Sequence, residues 1–354
     1  MDSLRACFPV CDRIAYLNAG SDGPLPEAAV AAARAMLDDE LLDGRTFEHF
    51  GRRAELGGEL RAAFAEVLGA PATEVAVTTS TTEGLARVLV GLDLGPGDEI
   101  VTAEDEHPGL VVPLRALQAR GVTVRAVPFA DLADAVRPST TLVACSHVNW
   151  FTGALAPAAL AEVDVPVVLD GAQGLGAVPT DVRALGCSAY AAPGQKWLCG
   201  ADGTGALWLE PAFMERVRPA LAASWNLEDP SDAWGSELRA DASRHDTFAI
   251  AAEVVVTTLA AIGVLAGAGW EHVLERGPAL ADRLVEGLIQ RGLEVVPRDR
   301  TTLVTWHDAD PVATHARLTA AGVSVRHLPG MPHLRASTGA WNDESDLERL
   351  LDAL

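Results

Sequence analysis

Among its 354 residues the chain carries one lysine, Lys196, against 26 arginines. A guanidinium stays protonated and is a poor nucleophile, whereas a lysine amine can lose its proton and condense with a carbonyl. Two readings of Lys196 stand open: a chance survivor on a solvated face, or a residue kept for amine chemistry. Its neighbours must decide. It follows the strand-like run AYAA (Ala189 to Ala192) and a Pro193-Gly194 turn. A second run, Val165 to Asp170 (VPVVLD), is apolar until its last residue. A carboxylate there is desolvated unless a cation meets it, although alone such an acid is most often a cap or a turn residue. A third stretch, Thr78-Thr79-Ser80-Thr81-Thr82-Glu83-Gly84, follows a strand and opens a helix. Hydroxyls and free backbone N–H groups at a helix start make an anion site. Plain N-capping by Ser80 or Thr81 is the simpler alternative.

Taken together, an amine, a strand-end acid and a hydroxyl-rich cradle are the set that pyridoxal phosphate requires. The lysine forms a Schiff base, the acid keeps the pyridine nitrogen protonated, and the cradle holds the phosphate.

These groups need a frame that brings strand ends together. Apolar runs at 74–79, 99–102, 122–127, 141–146, 165–170, 189–192 and 205–209 alternate with helical patterns such as 82–91 and 113–120. That is the pattern of an α/β protein with a mainly parallel sheet. Ligands of such sheets sit at the carboxyl ends of the strands. After about residue 250 the pattern changes to helices over 250–268 and 278–291, then strand, helix, strand and a closing helix over 344–354. The expected division is a large cofactor-binding domain at 15–250 and a small α+β unit of 1–14 and 251–354.

Acidic residues outnumber basic ones 49 to 27, a formal charge of -22. Such a field argues against nucleic acid or an anionic membrane as partner. No run of about 18 uncharged apolar residues occurs, and the start MDSLRACFPVCDR lacks the features of a signal peptide. A cytoplasmic protein is expected. The five cysteines (7, 11, 145, 187 and 199) show no CxxC pairing, so neither a disulfide framework nor a metal site is expected.

With these groups in place the chain resembles the class V aminotransferase group of fold-type I pyridoxal-phosphate enzymes, which includes cysteine desulfurases, C–S lyases and epimerases. The resemblance runs from Tyr16 to the C-terminus. It is strongest in Asp170-Gly171-Ala172-Gln173, in Lys196, and in Gly203-Thr204-Gly205-Ala206-Leu207. It implies that Asp170 pairs with the pyridinium, Gln173 bonds the ring hydroxyl, Thr81 and Thr82 bind phosphate, and His107 stacks on the ring. It also implies that Arg335, in Leu334-Arg335-Ala336-Ser337, grips the substrate α-carboxylate. Without the resemblance His107 reads as a loop histidine and Arg335 as a surface arginine.

The chain departs from the group at several points. Gln195 stands where many relatives have histidine and can still donate to phosphate. Pro193, where many have serine, offers no donor, so a further phosphate contact is expected from His245 or Thr247. Their stretch resembles one that reaches across the dimer in relatives, which implies a homodimer with shared sites. Trp150 stands where an asparagine is usual near the ring hydroxyl, and the adjacent Asn149 points another way.

Desulfurases of the group carry a persulfide-forming cysteine shortly before the carboxylate-binding arginine. Here the segment 323–330 has none, and the nearest preceding cysteine is Cys199. This argues against a persulfide relay. Transamination is the first expectation for an amino-acid substrate, with β-elimination at a C–S bond or epimerisation as alternatives. A non-catalytic cofactor-binding protein is the contrasting reading, opposed by the joint presence of Lys196, Asp170, Gln173 and Arg335.

Overall fold

The computed structural model describes residues 4–247 and 249–354. The chain enters through a short strand, β1 (Ala15–Tyr16), and two helices, α1 (Glu27–Leu42) and α2 (Phe47–Leu68). Alternation follows: β2 (Val75–Thr78), α3 (Thr81–Gly91), β3 (Glu99–Ala103), α4 (Pro108–Gln118), β4 (Thr123–Val127), β5 (Thr140–Ser146), β6 (Val167–Asp170), β7 (Ala189–Pro193) and β8 (Gly205–Leu209). The last part holds α5 (Pro211–Met214), α6 (Ala252–Ala268), α7 (Trp270–Gln290), β9 (Leu303–His307), α8 (Pro311–Ala320), β10 (Val323–Ser324), β11 (Arg326–His327), β12 (His333–Ser337) and α9 (Glu344–Ala353).

Seven strands form one sheet in the order β2-β8-β7-β6-β5-β3-β4. It is parallel except for β8, which runs against both its neighbours. Alternate residues of each strand feed two clusters, one on each face. Val143, Cys145, Val167 and Leu169 lie on one face, and Leu142, Ala144 and Val168 on the other. Burial on both faces is why these strands read as unbroken apolar runs.

Gly51, Gly57 and Gly58 lower the intrinsic helix propensity of 47–68. The four-residue spacing of Leu56, Leu60, Phe64 and Leu68, all buried, drives this helix against the core. Two helices also begin earlier than expected. α4 starts at Pro108, capped by the His107 side chain, and α7 starts at Trp270 with Pro278 inside it.

A third cluster joins Ala15 and Leu17 to Leu280, Leu284, Val304, Trp306, Leu334 and Leu347. β1 pairs with β10, while β9, β12 and β11 form a separate three-stranded sheet. We propose that the two units expected from the sequence meet along α6. Its Val255, Ala261 and Leu265 belong to the large cluster although they follow residue 250. Residues 1–3 of the expected small unit lie outside the described residues. No single described helix is long and apolar enough to cross a membrane, and the α6–α7 pair, bent by 85°, passes only jointly.

Candidate active site

The carboxyl ends of β5, β6 and β7 lie side by side, with Ser146 opposite Asp170 and Asp170 opposite Ala191. Five residues beyond Ala191 the chain reaches Lys196. Asp170 is 4% exposed, and its Oδ1 accepts from Ala172 N at 2.8 Å. Burial raises its pKa, opposed by the Lys196 charge and the Ala172 hydrogen bond. Burial lowers the half-buried Lys196 amine to about 8; Asp170 pulls it back up, and Arg335 adds to the lowering. The two residues singled out from separate motifs thus act on each other.

At the edge of this crevice α3 begins. Ser80 is its cap, accepting from Glu83 N at 3.1 Å. Thr81 is therefore not needed for capping, and its buried Oγ1 has no partner among the described residues. Thr82 is exposed and lies against Gly109, where an added Cβ would come within 2.7 Å of its Oγ1. The helix packs close because Gly84 meets Ala191: a Cβ there would sit 2.9 Å from the Ala191 methyl. Gln195 adds a second buried orphan, its Oε1.

His107 caps α4, its Nδ1 accepting from Gly109 N at 3.0 Å. Burial, then the fields of Lys196, Arg326 and Arg335, lower its pKa to about 4. The ring is neutral at pH 7, and the Nδ1 contact puts its proton on Nε2. The Trp150 ring meets it edge-on at 5.4 Å. Trp150 gives its indole N–H to Asp105 O, while Asn149 spends its amide on Asp105 and on the backbone N–H groups of Phe151 and Thr152. Asn149 is committed to its own loop and to Asp105. Gln173 is engaged at both ends, Nε2 to Gly20 O at 2.7 Å and Oε1 from Trp197 Nε1 at 3.1 Å. Its second amide hydrogen and one lone pair of Oε1 are left for a ligand.

Arg335 on β12 is 1% exposed. Its Nη1 donates to Trp150 O at 2.6 Å, and its Nε has no partner among the described residues. Burial and the nearby Arg326 lower its pKa to about 9. A buried guanidinium without a carboxylate is costly unless an anionic ligand completes it.

Thr247 and His245 take different places. Thr247 N donates to Val77 O at 2.8 Å; its Oγ1 donates to Glu83 Oε1 at 2.5 Å and accepts from Arg87 Nη2 at 3.0 Å. Glu83 also accepts from Thr79 N and Oγ1, so this network braces the first turn of α3 from behind. His245 is 0% exposed within its own chain, and both its ring nitrogens lack hydrogen-bond partners among the described residues.

Sequence reasoning passed over Glu106. It is buried, accepts from Ser146 N at 2.8 Å and Oγ at 2.5 Å, and is pushed up to about 7 by burial, with Asp170 and Asp105 adding to the rise. Its signal was an acid directly before His107. It ties the His107 loop to the end of β5. Tyr190 and His147, 3.0 Å apart beneath Gly171 and Gly174, form a second buried pair that no motif marked.

The family model for class V aminotransferases matches residues 15–350. The chain belongs to the class V aminotransferase family. A probable cysteine desulfurase of Pseudomonas aeruginosa is 30% identical over 99% of this chain and 96% of its own length. The isopenicillin N epimerase of Streptomyces clavuligerus is 31% identical over 61% of this chain and 58% of its own. A solved structure of the cystine C–S lyase C-DES, in complex with its product cysteine persulfide, superposes with a TM-score of 0.91 and 26% identity over 98% of both chains.

Members of this family use pyridoxal phosphate, and so does this enzyme. The residues present fit it. The unpartnered Thr81 Oγ1 at a helix start suits a phosphate, Asp170 lacks a cation beyond Lys196, and the lysine amine is deprotonated more readily than an ordinary one. Cofactor capture by the cofactor-free protein is therefore expected to speed up as pH rises through about 8, where the Lys196 amine loses its proton. Stopped-flow absorbance would follow this, and a midpoint at the usual lysine value of about 10 would show an amine in water-like surroundings.

Proposed function

We propose that the enzyme is a C–S lyase, breaking the Cβ–S bond of a cysteine-derived amino acid. The likeness to the cystine C–S lyase over nearly all of both chains carries this reading. The absence of cysteine after Cys199 supports it against a persulfide relay. Transamination, the first expectation, has less support, since the relatives above are a desulfurase, a lyase and an epimerase.

Bound pyridoxal phosphate supplies an electron sink for the charge left at Cα. The chain's residues supply the rest. Arg335 holds the α-carboxylate through its planar fork. Lys196 Nζ takes the Cα proton, its lowered pKa leaving a useful fraction of free amine near neutral pH. Asp170 keeps positive charge at the ring nitrogen. The Cα–H and Cβ–S bonds break, sulfur leaves with its bonding pair, and the three-carbon remainder takes up water and departs as pyruvate and ammonia. No oxidant or amino acceptor is consumed.

Incubation with cystine and S-substituted cysteines should give equal amounts of pyruvate and ammonia with no keto acid added. A requirement for a keto-acid acceptor would make the enzyme an aminotransferase. Release of alanine, with a sulfur atom gained by the protein, would make it a desulfurase.

A homodimer completes the reading. Leu41, Leu42, Phe47 and Trp234 are 79%, 81%, 88% and 102% exposed in the single chain. Apolar exposure of this kind marks an interaction surface. Light scattering at micromolar concentration should return twice the chain mass. Thr247→Ala removes a hydrogen bond to the charged Glu83 and should weaken cofactor retention at least about tenfold, since such bonds are worth roughly 1.5–3 kcal/mol. A monomer with full cofactor would overturn the dimer, and unchanged retention in the variant would overturn the bracing role. A cytoplasmic location is part of the same proposal, supported by the buried thiols Cys11, Cys145, Cys187 and Cys199.

A further inference from the structure

Arg335 and Lys196 belong to different sheets. Arg335 lies on β12 of the three-stranded sheet, whereas His107 and Lys196 follow β3 and β7 of the seven-stranded one. A substrate that reacts at Lys196 and is gripped by Arg335 must span the gap between them. Whatever joins the two sheets at this point therefore sets the geometry of the site.

The join is the loop 149–155 after β5, which is stitched to both sides. Towards the seven-stranded sheet, Asn149 Nδ2 donates to Asp105 Oδ2 at 2.9 Å and Trp150 Nε1 to Asp105 O at 2.7 Å, two residues before His107. Towards the three-stranded sheet, the carbonyls of Trp150, Phe151 and Gly153 accept from Arg335 Nη1 at 2.6 Å, Thr305 Oγ1 at 2.6 Å and Thr301 Oγ1 at 2.8 Å. Leu155 N adds a bond to Asp299 Oδ2 at 2.8 Å. Thr305 is the residue opposite Arg335 on β9, so the loop holds the arginine's own stretch of sheet. The fit is tight at Gly153, whose φ is +78° and where an added Cβ would lie 2.8 Å from Thr301 Oγ1.

Trp150 is the residue in which the two sets of ties meet. Its indole N–H is anchored on Asp105, its ring meets His107 edge-on at 5.4 Å, and its carbonyl takes Arg335. With the N–H spent on Asp105, the indole donates nothing to a cofactor hydroxyl, the task expected of an asparagine at this position. The departure noted in the sequence has exchanged a donor for a strut. On the arginine, the bond from Nη1 leaves Nε and Nη2, the side-on edge of the planar fork, for a carboxylate. We propose that Trp150 is a positioning residue for the reaction: it holds the Arg335 fork and the His107 ring in one arrangement, and so sets how well the substrate carboxylate is gripped. The proposal rests on the reading of Arg335 as the carboxylate holder, and not on which bond then breaks.

The test compares two ligands on the cofactor-loaded protein. L-Alanine has no sulfur to lose, and ethylamine is the same skeleton without the carboxylate. Titrations followed by the cofactor absorbance should show alanine binding at least about tenfold more tightly, the least expected of a charge-assisted pair of hydrogen bonds. Arg335→Gln should erase that ratio. Trp150→Ala should remove most of it, and Trp150→Phe, which keeps a ring beside His107 but loses the bond to Asp105 O, should keep part. Ethylamine affinity and the cofactor band should stay near native in both Trp150 variants, whereas a mere packing defect weakens the two ligands in parallel. If the Ala variant does not retain cofactor, the Phe variant decides. A ratio kept by Arg335→Gln would mean that the carboxylate reading itself has failed, and this proposal with it. A ratio erased by Arg335→Gln but unchanged in the Trp150 variants would overturn the positioning role alone.

Discussion

Lys196→Ala should abolish turnover, and borohydride should no longer fix the cofactor to the protein. Lys196 is the chain's only lysine, so no neighbouring amine can stand in for it. Its amine is brought down to about 8 by burial, reinforced by Arg335 and opposed by Asp170. On the proposed mechanism the same nitrogen captures the cofactor and moves the Cα proton, so removing it should eliminate two steps at once. Lys196→Arg should do no better: a guanidinium does not lose its proton near neutral pH, and it would add charge beside Arg335 and Arg326. Digestion and mass spectrometry after borohydride treatment would settle the matter, since a cofactor-bearing peptide from the Ala variant would sink the assignment. The cofactor's phosphate contacts do not pass through Lys196, so the variant should still retain cofactor measurably by dialysis.

How far such a site can be read from sequence depends on whether one residue or a partnership carries the information. Lys196, Asp170 and the Thr81 region announced themselves because each breaks a local pattern: a sole lysine, an acid closing an apolar strand, hydroxyls at a helix start. The parallel sheet was legible for the same reason, in apolar runs such as Val167–Asp170 that sheets buried on both faces impose. Glu106 was not legible. Its importance lies in Ser146, forty positions away, whose N–H and hydroxyl it accepts. Arg326 was hidden likewise, since only the pairing of β11 with β12 sets it opposite Arg335. Thr247 shows the converse case. Its stretch is expected from the sequence to reach a phosphate across a dimer, but its hydroxyl meets Glu83 of the same chain.

Asp170→Asn should slow Cα deprotonation by about 10²–10³, or roughly 2.7–4 kcal/mol, the range for losing one preorganised electrostatic partner. The carboxylate has one backbone donor, Ala172 N, and is otherwise buried. On the proposed mechanism its negative charge would hold a proton on the ring nitrogen, the state in which the ring can withdraw electrons from Cα. An asparagine fills the same space and can keep the Ala172 contact through its carbonyl, but it carries no charge. Glu106 cannot take over, because Ser146 N and Oγ fix its carboxylate on the side of β5, and burial pushes it up to about 7. Cofactor retention should change far less, since the phosphate cradle and Lys196 are untouched. Single-turnover rates with α-protiated and α-deuterated substrate separate the two effects: a larger isotope effect with a slower step locates the loss at the Cα proton, because proton transfer then limits the rate more fully. Near-normal rates with no change in isotope effect would instead mean that Asp170 serves the fold as a cap for the Gly171-Ala172 turn.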